Sequence, residues 1–448
     1  MDTIVALATP PGRSAIGVIR LSGPTSLEIA RSLIGEHEFS PEPARALLKT
    51  VGHRESNKVL DRSLLTFFQK PNSYTGEDLV EISCHGSPVV LRQVIDRILM
   101  LGARLAGPGE FTLRAMNNGK LNLSQAEGIR DLINAQTDAA ARQAARQLNG
   151  ELSARLGTVK GKLVRIIVQL ESAIEFVEDD LPELQWQQIR KALADLISDL
   201  QRLASTFNVG HFLRDGLKVT IIGRPNVGKS SLFNRLLSFD RAIVTELPGT
   251  TRDSLTESIS LQGIPILLTD TAGLRESSDM IESIGVERTR QAMADADLLL
   301  VVVDGSVDLA AEDHEVLSHA EGARHIVARN KSDLASFPNC VSGKHSAINV
   351  SAFTGSGLDD LRAAILQPFG SVDTAESTVL ITDSRHFDLL RRAIQGLESS
   401  TVLWDENASE ELTLVGLNNA LQFLGEITGE TTTEEILSQI FATFCIGK

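Results

Sequence analysis

Apolar and polar positions change their period along the chain. Ile16–Leu21 and Leu79–Ile82 are short strand-like runs, the second followed by a His85-Gly86-Ser87-Pro88 turn. Between them, Ser26–Ile34 has the spacing of an amphipathic helix, with Ser26 as N-cap, and Val89–Leu101 repeats that spacing up to Gly102. From Ser124 to Leu203 the period is helical throughout; Gly150, Gly157 and Gly161 are expected to interrupt it, and Leu181-Pro182 to end one helix. Strand-like and helix-like runs then alternate from Gly216 to about Phe369. After a polar stretch, Ser371–Ser377, the tail is helical again, as in Phe387–Ile394. The expected order is α+β, helical, α/β, helical. An α/β domain inserted into a discontinuous α-helical domain explains it most simply.

The chemistry concentrates in the α/β region. Gly223-Arg224-Pro225-Asn226-Val227-Gly228-Lys229-Ser230 follows the strand-like Lys218–Ile222 and precedes the helix-like Ser231–Leu237. That context makes it a phosphate-binding loop: glycines let backbone N–H groups face phosphate oxygens, Lys229 supplies a cation, and Ser230 a hydroxyl for Mg²⁺. Downstream, Gly249-Thr250-Thr251-Arg252-Asp253 offers a threonine to the metal once a γ-phosphate is present. Asp270-Thr271-Ala272-Gly273 follows an apolar run and places a carboxylate for Mg²⁺ and an N–H for the γ-phosphate. Asn330-Lys331-Ser332-Asp333 selects the base, since one carboxylate accepts both N1–H and the N2 amino group of guanine, a donor pair that adenine lacks. Ser351-Ala352 presents an N–H to guanine O6. Five such segments in this order predict GTP.

The residue after Gly273 is Leu274, which cannot orient a water as glutamine does in Ras-like enzymes. Glu276, Asp279, Glu282 and Glu287 are the nearby carboxylates, and spacing does not choose among them. Asn226 offers an amide oxygen near the phosphates for a monovalent cation, which would neutralise charge as an arginine finger does.

A net charge of −15 over 448 residues excludes nucleic-acid binding by bulk electrostatics, so any RNA contact needs a local patch. Arg142, Arg146, Arg155, Lys160, Lys162 and Arg165 form the one candidate, with Glu151 the sole acid among them. Three scattered cysteines suit a reducing compartment, and no run nears ~18 apolar residues, so a cytoplasmic protein without a membrane anchor is expected. No G-x-G-x-x-G fingerprint occurs, so any redox chemistry would have to come from a partner.

Three segments outside the α/β region carry a family likeness: Pro10-Pro11-Gly12-Arg13, Gly107–Ala115 with Lys120 and Gln125-Ala126-Glu127, and Cys445-Ile446-Gly447-Lys448. With the GTP motifs, they make the whole chain resemble the MnmE (TrmE) family of tRNA modification GTPases. The resemblance implies an α+β N-terminal folate-binding and dimerisation domain (1–118), two halves of a helical domain (119–212 and 373–448), and an inserted α/β P-loop GTPase, or Ras-like G, domain (213–372). It implies a homodimer that joins the FAD- and NADH-dependent partner MnmG (GidA) in a heterotetramer. Together these would modify C5 of a tRNA wobble uridine with a tetrahydrofolate derivative as donor.

Residue by residue, the resemblance gives Arg20, Glu77 and Lys120 to the folate, with Lys448 arriving from the other chain, and leaves Cys445 as a reactive or an inert thiol. It makes Glu282 the catalytic carboxylate, and Asn226, Thr245, Leu247 and Thr250 the K⁺ site; Ser230 and Thr251 would hold Mg²⁺. The GTP contacts would be Asn226, Val227, Gly228, Lys229, Ser230 and Ser231; Thr245, Glu246, Leu247, Pro248, Gly249, Thr250 and Thr251; Asp270, Thr271, Ala272 and Gly273; and Asn330, Lys331, Asp333, Ser351 and Ala352. Met116, Asn122 and Phe353 depart from the family pattern. An assembly GTPase that only recruits RNA-associated partners is the alternative, and folate binding separates the two.

Overall fold

The computed structural model describes residues 2–53, 58–175, 183–240, 256–270, 291–334, 347–367, 379–405 and 410–447. The chain gathers into two compact units, one of residues 1–130 and 425–448, the other Asp131–Leu424.

The first unit holds a six-stranded sheet of order β3-β4-β5-β2-β1-β6. Its strands are β1 (Ile4–Leu7), β2 (Ile16–Ser22), β3 (Ala46–His53), β4 (Lys58–Phe68), β5 (Leu79–His85) and β6 (Arg104–Leu105). All neighbours run antiparallel except β1 and β6. The alternation in β2 and β5 turns Ile19, Leu21, Val80 and Ile82 into a core shared with the helices Ser26–Ile34 and Pro88–Met100. Ser26 is not the N-cap. It is the buried first residue of its helix, and its Oγ donates to the Asp78 carbonyl (2.9 Å), which ties the helix to β5 instead. The helix Glu434–Ala442 belongs to this unit, because Phe441 and Phe444 bury against Leu123 and Ala126.

The second unit combines helices with a sheet of order β12-β11-β10-β7-β9-β8. These strands are β7 (Leu217–Ile222), β8 (Thr256–Leu261), β9 (Ile264–Asp270), β10 (Leu298–Asp304), β11 (His325–Asn330) and β12 (Ala347–Asn349), parallel except for the β8 edge. Continuous apolar runs such as Leu298–Val303 are buried throughout, as a parallel strand requires. The long helices are Glu151–Glu175, Glu183–Ser205 and Ser384–Asp405. Gly150, with φ +83°, does separate the helices Asp138–Leu148 and Glu151–Glu175. Gly157 and Gly161 do not interrupt the second helix. Its ladder runs through both, and the buried line of Leu152, Leu156, Val159 and Leu163 outweighs the ~1 kcal/mol that each interior glycine costs relative to alanine.

The sheet enters and leaves the helical part at one place. The helix Phe207–Asp215 leads into β7, and the returning segment 379–383 lies beside it. Ile381 N–H donates to Thr206 Oγ1 (3.0 Å) and Leu380 N–H to Gln143 Oε1 (3.3 Å). The Phe207 ring stacks on Phe387 with centroids 4.4 Å apart. Arg214 bridges Asp383 (2.6 Å) and Asp131 (3.3 Å). Burial opposes ionisation of Asp383, but the positive charges of His386, Arg214 and Arg385 outweigh it and lower its pKa to about 2.

That depressed value fixes a pH window. The unfolded carboxyl titrates near ~3.9, so the stabilisation is complete above that value and is lost as pH falls toward about 2. It is on the order of 2 kcal/mol. Thermal unfolding from pH 6 to pH 2 should show the melting temperature of Asp383→Asn to be lower at neutral pH and flatter than wild type in the acid limb; parallel curves would contradict the assignment.

Candidate functional site

β7 ends at Ile222 and the chain turns at Gly223 (φ +154°), where a Cβ would lie 2.3 Å from the Val302 carbonyl oxygen. At Gly228 (φ +95°) it would lie 2.2 Å from the Asn330 side-chain nitrogen. Both positions therefore require glycine. Asn226 takes the left-handed conformation (φ +65°), which asparagine tolerates best among larger residues. Val227 is buried in the sheet core and anchors the loop. The Lys229 ammonium donates to the carbonyls of Gly223 (3.0 Å) and Arg224 (2.9 Å), so the cation lies within the loop's curl. The helix Lys229–Asp240 begins there and points its free N–H groups into the same space. Ser230 Oγ donates to Asp270 Oδ2 (2.9 Å) at the end of β9. This hydroxyl and carboxylate are hard oxygen donors, the set that Mg²⁺ takes beside phosphate oxygens.

The residues expected to read the base meet this loop through Asn330. Its amide nitrogen donates to the Val227 carbonyl (2.9 Å), and its amide oxygen accepts from Ala352 N–H (3.0 Å). Lys331, also left-handed (φ +68°), places its ammonium 2.5 Å from Asp304 Oδ2. Burial opposes ionisation of Asp304, but the hydrogen bonds from Lys331 and Ser306 prevail and hold its carboxyl below the usual range. Asp333 is exposed, and its Oδ1 accepts from Ser351 Oγ (2.5 Å), which in turn accepts from Thr354 N–H (3.0 Å). The carboxylate is thereby oriented at the mouth of the site. Phe353 stands 85% exposed beside it.

Asp304 and the Arg224–Asp313 pair (2.9 Å) were not singled out from sequence. Asp304 had a signal, a carboxylate closing the apolar run of β10. Thr245, Glu246, Leu247, Pro248, Gly249, Thr250, Thr251, Thr271, Ala272, Gly273, Leu274, Glu282 and Lys448 lie outside the described residues.

A second cluster lies on the first unit. Arg20 and Glu81 face each other across β2 and β5, and the guanidinium grips Glu81 Oε1 at 2.9 and 2.7 Å. It also lies over the rings of Tyr74 and Phe111, 5.3 and 5.9 Å from their centroids. Glu77 accepts from Ser22 Oγ (2.7 Å) and from Arg114 (3.1 Å). Lys120 is exposed, with its side chain close to the turn at Gly76. So Arg20 and Glu77 hold different partners, and Arg114 is the residue that sequence reading overlooked. Its clue was the i,i+4 pair with Glu110 (2.9 Å). The tail is seated on its own chain: Cys445 accepts from Gly109 N–H (3.4 Å), Ile446 bridges Pro108, and the Gly447 carbonyl lies 3.4 Å from Arg20. The resemblance had implied an approach from another chain. That expectation concerns Lys448, which lies outside the described residues.

Two family models divide the chain: the GTP-binding protein TrmE N-terminus over residues 3–120, and the MnmE helical domain over residues 123–445. The chain belongs to the MnmE (TrmE) family. A tRNA modification GTPase MnmE from Koribacter versatilis is 46% identical over 460 residues, covering 100% of this chain and 99% of that one. Another, from Aquifex aeolicus, is 42% identical and covers both chains in full. The G domain of the T. maritima FeoB iron transporter is 28% identical over 34% of this chain and 97% of its own, with a TM-score of 0.26.

As an MnmE-family GTPase, the chain should read guanine through Asp333. Asp333→Asn replaces one acceptor by a donor, which mismatches guanine N2 and matches the C2 carbonyl of xanthine. GTP affinity should fall by about 100-fold or more while that of xanthosine triphosphate rises. Competition binding of the two nucleotides checks this, and unchanged preference for GTP would contradict the role.

Proposed function

We propose that this chain is the K⁺-stimulated, GTP-hydrolysing component of a complex that, with the FAD- and NADH-dependent protein MnmG (GidA), adds an aminomethyl or carboxymethylaminomethyl group at C5 of the tRNA wobble uridine. A tetrahydrofolate derivative is the one-carbon donor. Residues 1–118 bind it and form the homodimer, 119–212 and 373–448 are the helical halves, and 213–372 are the G domain. The observation that carries this reading is that one chain, matching an MnmE relative from end to end of both, holds both the phosphate loop tied to Asn330 and Asp270 and the N-terminal cluster around Arg20.

In the G domain, Lys229 and the helix N-terminus bind the phosphates, and Ser230 and Asp270 would hold Mg²⁺, whose chemistry there would be to neutralise phosphate charge. Asn226, left-handed and exposed in the phosphate loop, would supply an amide oxygen to a K⁺ site completed by Thr245, Leu247 and Thr250. Thr251 joins the Mg²⁺ set, and Glu282 orients the attacking water in place of the missing glutamine. In the N-terminal domain the guanidinium of Arg20 and the partly exposed ring of Tyr74 offer a cation and an aromatic surface to a reduced pterin, with Phe111 buried as support beneath Arg20 and with Glu77, Lys120, Cys445 and Lys448 as its further contacts.

Two measurements test this. GTP turnover should be much faster in KCl than in NaCl, and Glu282→Ala should reduce it by at least ~100-fold with nucleotide affinity near wild type; equal rates in both salts remove the K⁺ role. Calorimetry should find a reduced folate bound with micromolar affinity or better, about −8 kcal/mol, and lost in Arg20→Ala. No folate binding by the wild-type protein would favour the recruiting GTPase.

A further inference from the structure

The phosphate loop is stitched to the fold on two sides. Its far half is held by the buried Val227 and by the Asn330 amide. Its near half, residues 223–226, carries the two carbonyls to which the Lys229 ammonium donates. Pro225 and Asn226 are exposed, so burial does not hold this half as it holds Val227. The Arg224 side chain ties it down instead. Arg224 Nε donates to Asp313 Oδ1 (3.1 Å) and Oδ2 (2.9 Å). Asp313 is 2% exposed and sits in the first turn of the helix Ala311–Ala320. Its Oδ2 also accepts from the Ala310 N–H (3.0 Å) just before that helix, which fixes the carboxylate's orientation.

A buried charge pair adds little net stability, so its consequence lies in the geometry it imposes. Pro225 has a fixed φ, which leaves little freedom between the anchor at Arg224 and Asn226. The anchored Arg224 carbonyl in turn holds the Lys229 ammonium inside the curl. A loop already shaped in this way gives up less conformational entropy when a triphosphate arrives. The field of Asp313 argues the other way, since a carboxylate bonded to the loop repels an anionic ligand. Position, not charge, is therefore what the acid contributes.

We propose that Arg224 and Asp313 are positioning residues for the phosphate loop. The buried carboxylate on the helix Ala311–Ala320 fixes the curl that holds Lys229, and so sets the affinity for GTP. The role goes beyond the GTP contacts named above, and it rests on GTP being the nucleotide bound there.

Steady-state GTP turnover and stopped-flow binding of a fluorescent GTP analogue to the full chain test this. Asp313→Ala is the informative variant. Arg224, with its side chain 23% exposed, can then turn to water, whereas Arg224→Ala would strand a buried carboxylate. Asp313→Ala should raise KM about tenfold and slow analogue association by a similar factor, with kcat within about twofold of wild type. Arg224→Lys keeps the cation and should stay within about threefold of wild type in both readouts. Melting curves identify variants folded at the assay temperature. If Asp313→Ala is not, Asp313→Asn takes its place, since it keeps an acceptor for the Ala310 N–H and drops the charge that grips Arg224. Unchanged KM and association in the folded variant would overturn the proposal. Tighter binding would overturn it too, because the field of the acid would then outweigh its geometry. So would a fall in kcat as deep as the rise in KM, or a loss in Arg224→Lys as deep as in the Asp313 variant. A wild-type protein that binds no GTP analogue would remove the GTP assignment itself, and this role with it.

Discussion

Burying the amide of Asn330 imposes the constraint on which the nucleotide site depends. At 2% exposure, the side chain must have both its donor and its acceptor satisfied inside the protein. The Val227 carbonyl takes one and the Ala352 N–H supplies the other. These come from the phosphate loop and from the loop after β12, so a single side chain ties the phosphate-binding and base-reading segments together. The contact is also why Gly228 cannot carry a side chain, since the Asn330 nitrogen fills the place of its Cβ. The β11–β10–β7 order puts Asn330 and the phosphate loop at the same end of adjacent parallel strands, which is where such sheets bind ligands.

How much of this was readable from sequence follows from how local each interaction is. Strand, glycine turn and helix succeed one another within the stretch 217–240, so the phosphate loop and its surroundings were legible, as were the ends of β9 and β11. The stitch from Asn330 to Val227 joins residues 103 apart, and the Arg114–Glu77 pair joins residues 37 apart. Neither leaves a periodic trace. Ser26 shows the opposite failure: its local pattern was that of an N-cap, and a tertiary bond to Asp78 redirected it. Gly157 and Gly161 show another, since local propensity argued against a helix that burial of Leu152, Leu156 and Leu163 enforces.

The N-terminal cluster follows the same logic with charges instead of amides. Asp2, Arg104, Glu110, Arg114 and Glu77 form one connected set of ion pairs. Burial pushes the Glu110 carboxyl up, but hydrogen bonds from Arg104, the Gly107 N–H and Arg114 carry it below its ordinary value. Side-chain hydrogen bonds from Arg104 and Arg114 bring Asp2 to about 2. The set fixes Glu77 through Arg114 and leaves Arg20 to a separate partner, Glu81. A cationic group and an anionic group are thus held by independent supports, so replacing one need not release the other.

The inserted sheet is fastened to the helices at its far side too. Thr137 Oγ1 donates to the Gly263 carbonyl (2.7 Å) at the β8–β9 turn and accepts from Ala140 N–H (3.2 Å), so one hydroxyl caps the helix Asp138–Leu148 and holds the turn. Ser258 of β8 donates to Gln136 (2.8 Å), and a Cβ at Gly263 would lie 3.0 Å from that of Ala139. β9 runs from this turn to Asp270, the carboxylate bonded to Ser230. One end of β9 is therefore set by the Ser230 hydroxyl and the other by a helix cap, while Arg214 and Asp383 fix the crossing points. β9 is hydrogen-bonded along both edges, to β7 and to β8, so its two ends are held at a fixed spacing. The Thr137 hydroxyl is thus shared between the far turn of the sheet and the N-terminus of the helix Asp138–Leu148, so removing it would leave both the Gly263 carbonyl and the Ala140 N–H without that partner.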